Sequence, residues 1–243
     1  MDDYVPFCGT PPLPSELWSR WTLDPVLLGV LALGLAAILW TTRGVARRQP
    51  LLGWALVAVL FVSPICAASM ALFSARVAQH LLLTLVAAPL LAPLLKDKAP
   101  PPALAAVVFA ALFWFWHVPG PYALTLQSDL AYWSMHVSVV GAAVVLWASF
   151  RGWVASGPFA TALAAAGTGA QMTLLAVLLI VSDKLWHPWH ELTTLPYGLD
   201  AMGDQALAGA FMWVGGGLFF MALIAGLALR LFGADGRAAG TKA

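Results

Sequence analysis

Apolar residues in this chain come in seven nearly unbroken runs, not in the alternating or striped patterns of half-buried elements. The runs are Leu23–Thr42, Leu51–Phe73, Val77–Leu95, Ala103–Val118, Leu130–Phe150, Phe159–Ser182 and Asp204–Phe232. A helix apolar on every side has no face for water, and about 20 such residues cross the hydrocarbon of a bilayer. Turn and charge signals separate the runs: Arg47-Arg48-Gln49-Pro50, Lys96-Asp97-Lys98 before three prolines, Pro119-Gly120-Pro121 and Gly157-Pro158. The pattern predicts an all-α bundle of seven transmembrane helices over 23–232. An extracytoplasmic segment, 1–22, precedes it and a cytoplasmic tail, 233–243, follows. The acidic start, Met1-Asp2-Asp3-Tyr4, with no apolar run before Pro25, does not read as a secretory signal peptide. No internal repeat emerges, so an inverted-repeat transporter gains no support.

Composition agrees with this reading and excludes others. Apolar residues make up 61% of the 243 and charged residues only 9%, against roughly 25% charged in a soluble domain. A net charge of +1 without a basic stripe excludes a nucleic-acid binder. Two cysteines exclude a multi-bridge framework and a CxxC zinc module. Cys8 and Cys66 are expected to stay unpaired, because joining them would require the N-terminal segment to dip into the bundle.

The few charges set an orientation. Arg43, Arg47, Arg48, Lys96, Lys98, Arg151, Arg230, Arg237 and Lys242 fall on one side of the seven runs; Arg20, Arg76 and Lys184 fall on the other. Basic loops stay cytoplasmic, so the N-terminus is expected outside and the C-terminus inside. Tryptophans such as Trp18, Trp21, Trp40, Trp153 and Trp186 fall near run ends, as interfacial anchors do.

That orientation puts all five histidines toward the outer face: His80, His117 and His136 at or inside run ends, and His187 and His190 in the outer sixth loop as further candidate ligands. Ionisable residues within spans are costly and by default raise a functional hypothesis. Helical spacing places Arg76 with His80, Tyr132 with His136, and Asp129, Trp133 and His136 along one stripe. Asp129 or Asp204 can supply the carboxylate that orients a metal-binding imidazole, or can pair with Arg76. Gln205 opens the seventh run beside Asp204. Met70, Met135, Met172, Met202 and the thiol of Cys66 add softer donors. Imidazole with thioether suits copper, above all Cu(I).

Other chemistries fit less well. A retinal protein needs a lysine in the last span, and 204–232 has none; a proton pump needs a mid-membrane carboxylate, and no run has one. No run carries two histidines, so stacked haems are excluded, while one haem between His80 and His136 stays open. A zinc hydrolase built on three histidines and an aspartate is a second alternative; Ser134 and Ser138 beside His136 are its weak nucleophile candidates.

Four segments carry a resemblance: Ala78-Gln79-His80 with Ala87-Ala88-Pro89, Trp114-Phe115-Trp116-His117-Val118-Pro119 with Tyr122, Trp133-Ser134-Met135-His136 with Trp147, and Asp204-Gln205 through Met212-Trp213. With the opening Cys8-Gly9-Thr10-Pro11-Pro12, the chain resembles the CtaG-type assembly factors of caa3-type cytochrome c oxidase. The resemblance implies a seven-span protein of the bacterial inner membrane that is not an enzyme. It further implies a chaperone-like role in respiratory-chain biogenesis, with copper as cargo, an oxidase subunit as partner and the lipid bilayer as surroundings. His80, His117 and His136, with Asp204 and Gln205, are the matching positions. One departure is Arg76, which stands where the family pattern has a further histidine. Gly215-Gly216-Gly217 permits close helix contact, within one chain or in a homodimer.

Overall fold

Proline and short polar residues decide where the helices begin. Proline at the first helical position lacks only an N–H that would be unsatisfied anyway, and it opens α1 (Pro25–Thr41), α3 (Pro64–Ala71), α6 (Pro102–His117), α7 (Pro119–Leu124) and α9 (Pro158–Val181). Oxygen-bearing caps do the same work: Asp24 accepts from Leu27 N at 2.8 Å, and Asp200 accepts from Gly203 N at 2.5 Å to start α10 (Ala201–Phe211). At the other end of α1, Arg47 donates to the carbonyls of Leu39 and Thr42, covering acceptors that a helix end leaves open.

The computed structural model describes residues 4–95 and 99–240, with side chains described up to Leu229. Among these residues the chain is all-helical, and each of the seven apolar runs contains a helix. Five helical stretches are long and apolar enough to cross a membrane: Gly44–Val62, Phe73–Leu95, Asp129–Trp153, Pro158–Val181 and Ala201–Leu229. Pro25–Thr41 and Pro102–His117 are shorter apolar helices of 17 and 16 residues. Lys96 and Lys98, two of the basic positions that set the expected orientation, lie outside the described residues, as does Lys242. The last helix, α11 (Gly217–Gly240), takes in most of the segment expected as a tail.

The second run is not one helix. α2 (Arg48–Val62) stops at Ser63, whose extended backbone is what a residue before proline prefers. α3 then ends at Leu72, and α4 (Phe73–Leu81) starts four residues before the expected Val77. Its continuation widens into a π-helical stretch, Leu82–Ala87, before α5 (Ala88–Leu91). Pro89 is the cause: it cannot donate to Leu85, and its ring would press on that carbonyl. The indole of Trp147 on α8 (Asp129–Trp153) donates to the Thr84 carbonyl at 2.7 Å, satisfying an acceptor within the widened turn. A second π-helical stretch, Met212–Gly216, joins α10 to α11.

α6 packs on α8 and α9, and α10 packs on α4 and α9. Close crossings rest on glycine: a Cβ on Gly209 would stand 2.7 Å from the Ala176 carbonyl oxygen. A Cβ on Gly216 would stand 3.1 Å from the methyl of Met172, so this part of the glycine triplet serves contact within the chain. Leu33 on α1, Val107 on α6 and Leu218 on α11 stay exposed, as apolar side chains facing lipid do.

The cysteine expectation is overturned. Cys8 and Cys66 form a disulfide, with Cα atoms 5.4 Å apart, and the N-terminal segment does dip into the bundle. Aromatic packing holds it there: Phe7 stacks on Tyr132 at 5.3 Å and meets Trp133 edge-on at 4.9 Å. Gly9, at φ 87°, turns the chain back beside Cys8. Disulfide sulfurs carry no hydrogen, so the Tyr132 hydroxyl donates toward Cys8 Sγ at 3.2 Å. Cys66 is therefore no free thiol and leaves the list of candidate ligands.

Candidate functional site

The three span histidines share one local device. His80 sits on α4, His117 is the last residue of α6, and His136 lies two turns into α8. Each places Nδ1 against the carbonyl four residues earlier: His80 on Arg76 at 2.8 Å, His117 on Phe113 at 2.6 Å, His136 on Tyr132 at 2.9 Å. A carbonyl only accepts, so Nδ1 carries the proton in all three rings, and Nε2 is left with its lone pair. The backbone thus does the orienting expected of a carboxylate. In His80 and His136, Nε2 is buried and meets no polar partner.

These nitrogens do not converge on one point. The His80 and His136 rings stack, with centroids 4.9 Å apart and planes within 20°. Lone pairs lie in the ring planes, and nearly parallel stacked planes share no nearby point, so one ion cannot bind both rings in this arrangement. Among the described residues, no three His, Cys, Asp or Glu side chains gather as a metal-holding group. His80 and His117 instead line a small cavity of about 30 Å³, together with Arg76, Met135, Met172 and Met212. The thioethers of Met135 and Met172 were anticipated as donors. Met212 was not, because its place in the cavity wall depends on how α10 packs on α4. Met70 is fully buried and does not line this cavity, and Met202 is partly exposed.

The expected partners turn elsewhere. Asp204 accepts from the Phe73 N–H at 2.6 Å, the Ser74 N–H at 3.2 Å and the Ser74 hydroxyl. It caps α4 from another helix, where a negative charge complements the exposed N–H groups. Asp129 accepts from the Tyr4 hydroxyl at 2.5 Å and ties down the N-terminal segment. Gln205 accepts from Trp186 N at 2.7 Å and donates to the carbonyls of Leu179 and Lys184, both at 3.2 Å. It is a clamp for the 182–200 loop. Tyr132 serves His136 through its carbonyl, not its hydroxyl.

Arg76 is 1% exposed and forms no ion pair among the described residues. Its Nη2 donates to the Thr125 hydroxyl at 2.7 Å, and its guanidinium lies 4.8 Å from the Tyr122 ring centre and 5.9 Å from that of Tyr132. Thr125 itself escaped the sequence reading: a threonine in a short connection carries no signal of burial.

The two loop histidines fold inward. The buried Tyr122 phenol, pushed up to about 12 by burial against the opposing pull of Arg76, stays protonated and donates to His190 Nε2 at 2.7 Å. His190 Nδ1 faces the Ala71 carbonyl at 3.4 Å, so its ring is committed on both sides. His187 stacks on Tyr122 at 3.8 Å and has no polar partner on either nitrogen. Burial, reinforced by His117, His190 and Arg76, lowers it to about 2; burial and Arg76 lower His190 to about 3. Both rings are neutral at physiological pH.

Residues 99–234, more than half of the chain, match the family described as cytochrome c oxidase caa3 assembly factor (Caa3_CtaG). The matched span holds His117, His136 and Asp204, while Arg76 and His80 lie ahead of it. No curated protein and no solved structure matches the chain.

Proposed function

The chain belongs to the cytochrome c oxidase caa3 assembly factor family, and from that premise we propose that it carries copper, as Cu(I), for handover to an oxidase subunit. The observation that carries this reading is a cavity lined by His80 and His117, each with Nε2 free of protein partners, and by Met135, Met172 and Met212. Two imidazoles with soft sulfur donors favour Cu(I) over harder divalent ions. Neutral thioethers hold the ion without thiolate strength, which suits a donor that must release it. His136 stacks behind His80 and fixes its ring. In this role the protein moves a cargo and catalyses no bond change.

The same reading makes this a seven-helix bundle in the bacterial inner membrane, with the short helices α1 and α6 completing the count. The N-terminus is outside and the C-terminus in the cytoplasm. The basic-residue asymmetry supports that orientation, and so does the disulfide, since such bonds persist on the oxidising side of the membrane. A zinc hydrolase lacks support, because Asp204 is committed to the α4 terminus. A haem lacks support too: a cavity of about 30 Å³ falls far below the roughly 300–1,000 Å³ of organic-cofactor sites.

The test is Cu(I) competition with a chromophoric chelator on the detergent-solubilised protein, paired with the copper content of oxidase from cells. Replacing His80 and His117 by alanine is expected to weaken Cu(I) binding at least ~10-fold, the lower end of what losing even an outer partner of a ligand costs a metal site, and to yield copper-poor oxidase. Unchanged affinity and unchanged oxidase copper overturn the proposal and leave scaffolding of the oxidase.

A further inference from the structure

Arg76 presents a charge that the fold does not answer. A guanidinium cannot give up its proton in a protein, and a buried charge is tolerated only when paired and hydrogen-bonded. Of its donors, Nη2 reaches a neutral hydroxyl, whereas Nε and Nη1 are buried without a partner. The acidic residue nearest in role, Asp204, has both oxygens engaged at the α4 terminus. Thr125 accepts as a neutral oxygen, its own proton going to the Tyr122 carbonyl at 2.7 Å, so it supplies no negative charge. The tyrosine faces beside the guanidinium attract it, but they leave two N–H directions open. Those directions belong to a side chain that lines the cavity described above.

We propose that this cavity is a binding site for a small monovalent anion of halide size, held by Nε and Nη1 of Arg76. Size selects the class. About 30 Å³ takes one or two water-sized spheres, enough for chloride or bromide and too little for a carboxylic acid, a nucleotide or a lipid headgroup. The wall also suits it: Phe113, Met135 and Val139 are apolar and polarisable, a surrounding that accepts a weakly hydrated halide more readily than a strongly hydrated oxyanion. The bound anion cancels the Arg76 charge inside the cavity. The proposal concerns the metal-free protein and stands apart from copper binding.

The experiment uses full-length, chelator-treated protein in detergent, comparing sodium chloride and sodium bromide with sodium gluconate at equal ionic strength. The wild-type unfolding midpoint is expected to rise saturably with halide and not with gluconate. The chloride-35 NMR line is expected to broaden with protein and to sharpen when bromide competes. In Arg76→Gln both responses fall several-fold, and in Arg76→Lys, which keeps the charge, they persist in part. The chloride-35 measurement on the wild type needs no variant to fold. Equal midpoints in chloride and gluconate, no excess line width, or an undiminished response in Arg76→Gln each overturn the site. Loss of copper binding with the halide response intact counts against the copper reading alone.

Discussion

Arg76 and Asp204 lie on neighbouring helices with opposite charge, and each is occupied with something other than its counterpart. Asp204 meets three donors at the start of α4, hydrogen bonds to a charged group that are each worth about 1.5–3 kcal/mol. An Arg76 contact that drew the carboxylate away from α4 would forfeit all of them. The histidines divide in a similar way. His190 is satisfied on both sides by Tyr122 and Ala71, while His80 and His136 are satisfied only at Nδ1. The loop pair has a consequence for acid stability. His187 and His190 stay neutral in the folded protein down to about 2 and about 3, held so by burial, by the neighbouring His117 and by Arg76. An unfolded chain protonates them near 6.5. Above about pH 6.5 they contribute no pH dependence. As pH falls toward 3, the unfolded state takes up protons that the folded state does not, and stability drops. Unfolding midpoints measured from pH 7 to pH 4 are expected to fall, and the double replacement His187→Gln with His190→Gln is expected to flatten that decline. An equally steep decline in the double variant contradicts the assignment.

Helices in this protein are placed as much by what they lack as by what they bury. Pro89 removes a donor and widens the turn after His80; Trp147 then fills the gap with its indole. π-helical turns recur at functional sites, and here both of them, Leu82–Ala87 and Met212–Gly216, begin beside the cavity. Gly209 lacks a side chain, so α10 lies directly on the backbone of α9. That crossing carries Met212 to the cavity and Gln205 to the 182–200 loop. Gly209→Leu therefore pushes α10 from α9, an overpacking that costs about 1–3 kcal/mol or more. Gly209→Ala meets the same carbonyl with a smaller group. The expected order of melting temperature in detergent is wild type, then alanine, then leucine, and a leucine variant as stable as wild type rules out the tight crossing.

The molecule as a whole is closed at one end by two segments that look like connections in the sequence. Residues 4–22 are held by the Cys8–Cys66 disulfide and by Phe7, and the 182–200 loop is held by Gln205, by His190 and by the Tyr197 hydroxyl, which donates to the Pro12 carbonyl at 3.0 Å. The disulfide closes a loop of 58 residues in sequence separation, for which chain entropy predicts a stabilisation of about 4 kcal/mol. Reduction, or Cys8→Ser, is expected to release the N-terminal segment to protease while α8 and α9 stay protected. Mass spectrometry of unreduced protein is expected to find neither cysteine alkylated. Labelling of both thiols without reductant contradicts this closure.

The all-helical class and the start of each apolar helix to within four residues were legible in the chain. Burial in lipid imposes continuous apolar runs, and proline with Asp or Ser caps marks their ends whatever the helices pack against. Which side chains meet was not legible. The Cys8–Cys66 pairing, the commitment of Asp204 to α4, the stacking of His80 on His136 and the arrival of Met212 in the cavity wall all depend on the rotation and crossing of helices far apart in sequence. A uniformly apolar helix has no stripe from which its rotation can be read. Tertiary packing alone therefore decided that the five histidines split into a committed His190, a His187 without polar partners and three rings with Nε2 free, beside an arginine whose charge the fold leaves unpaired.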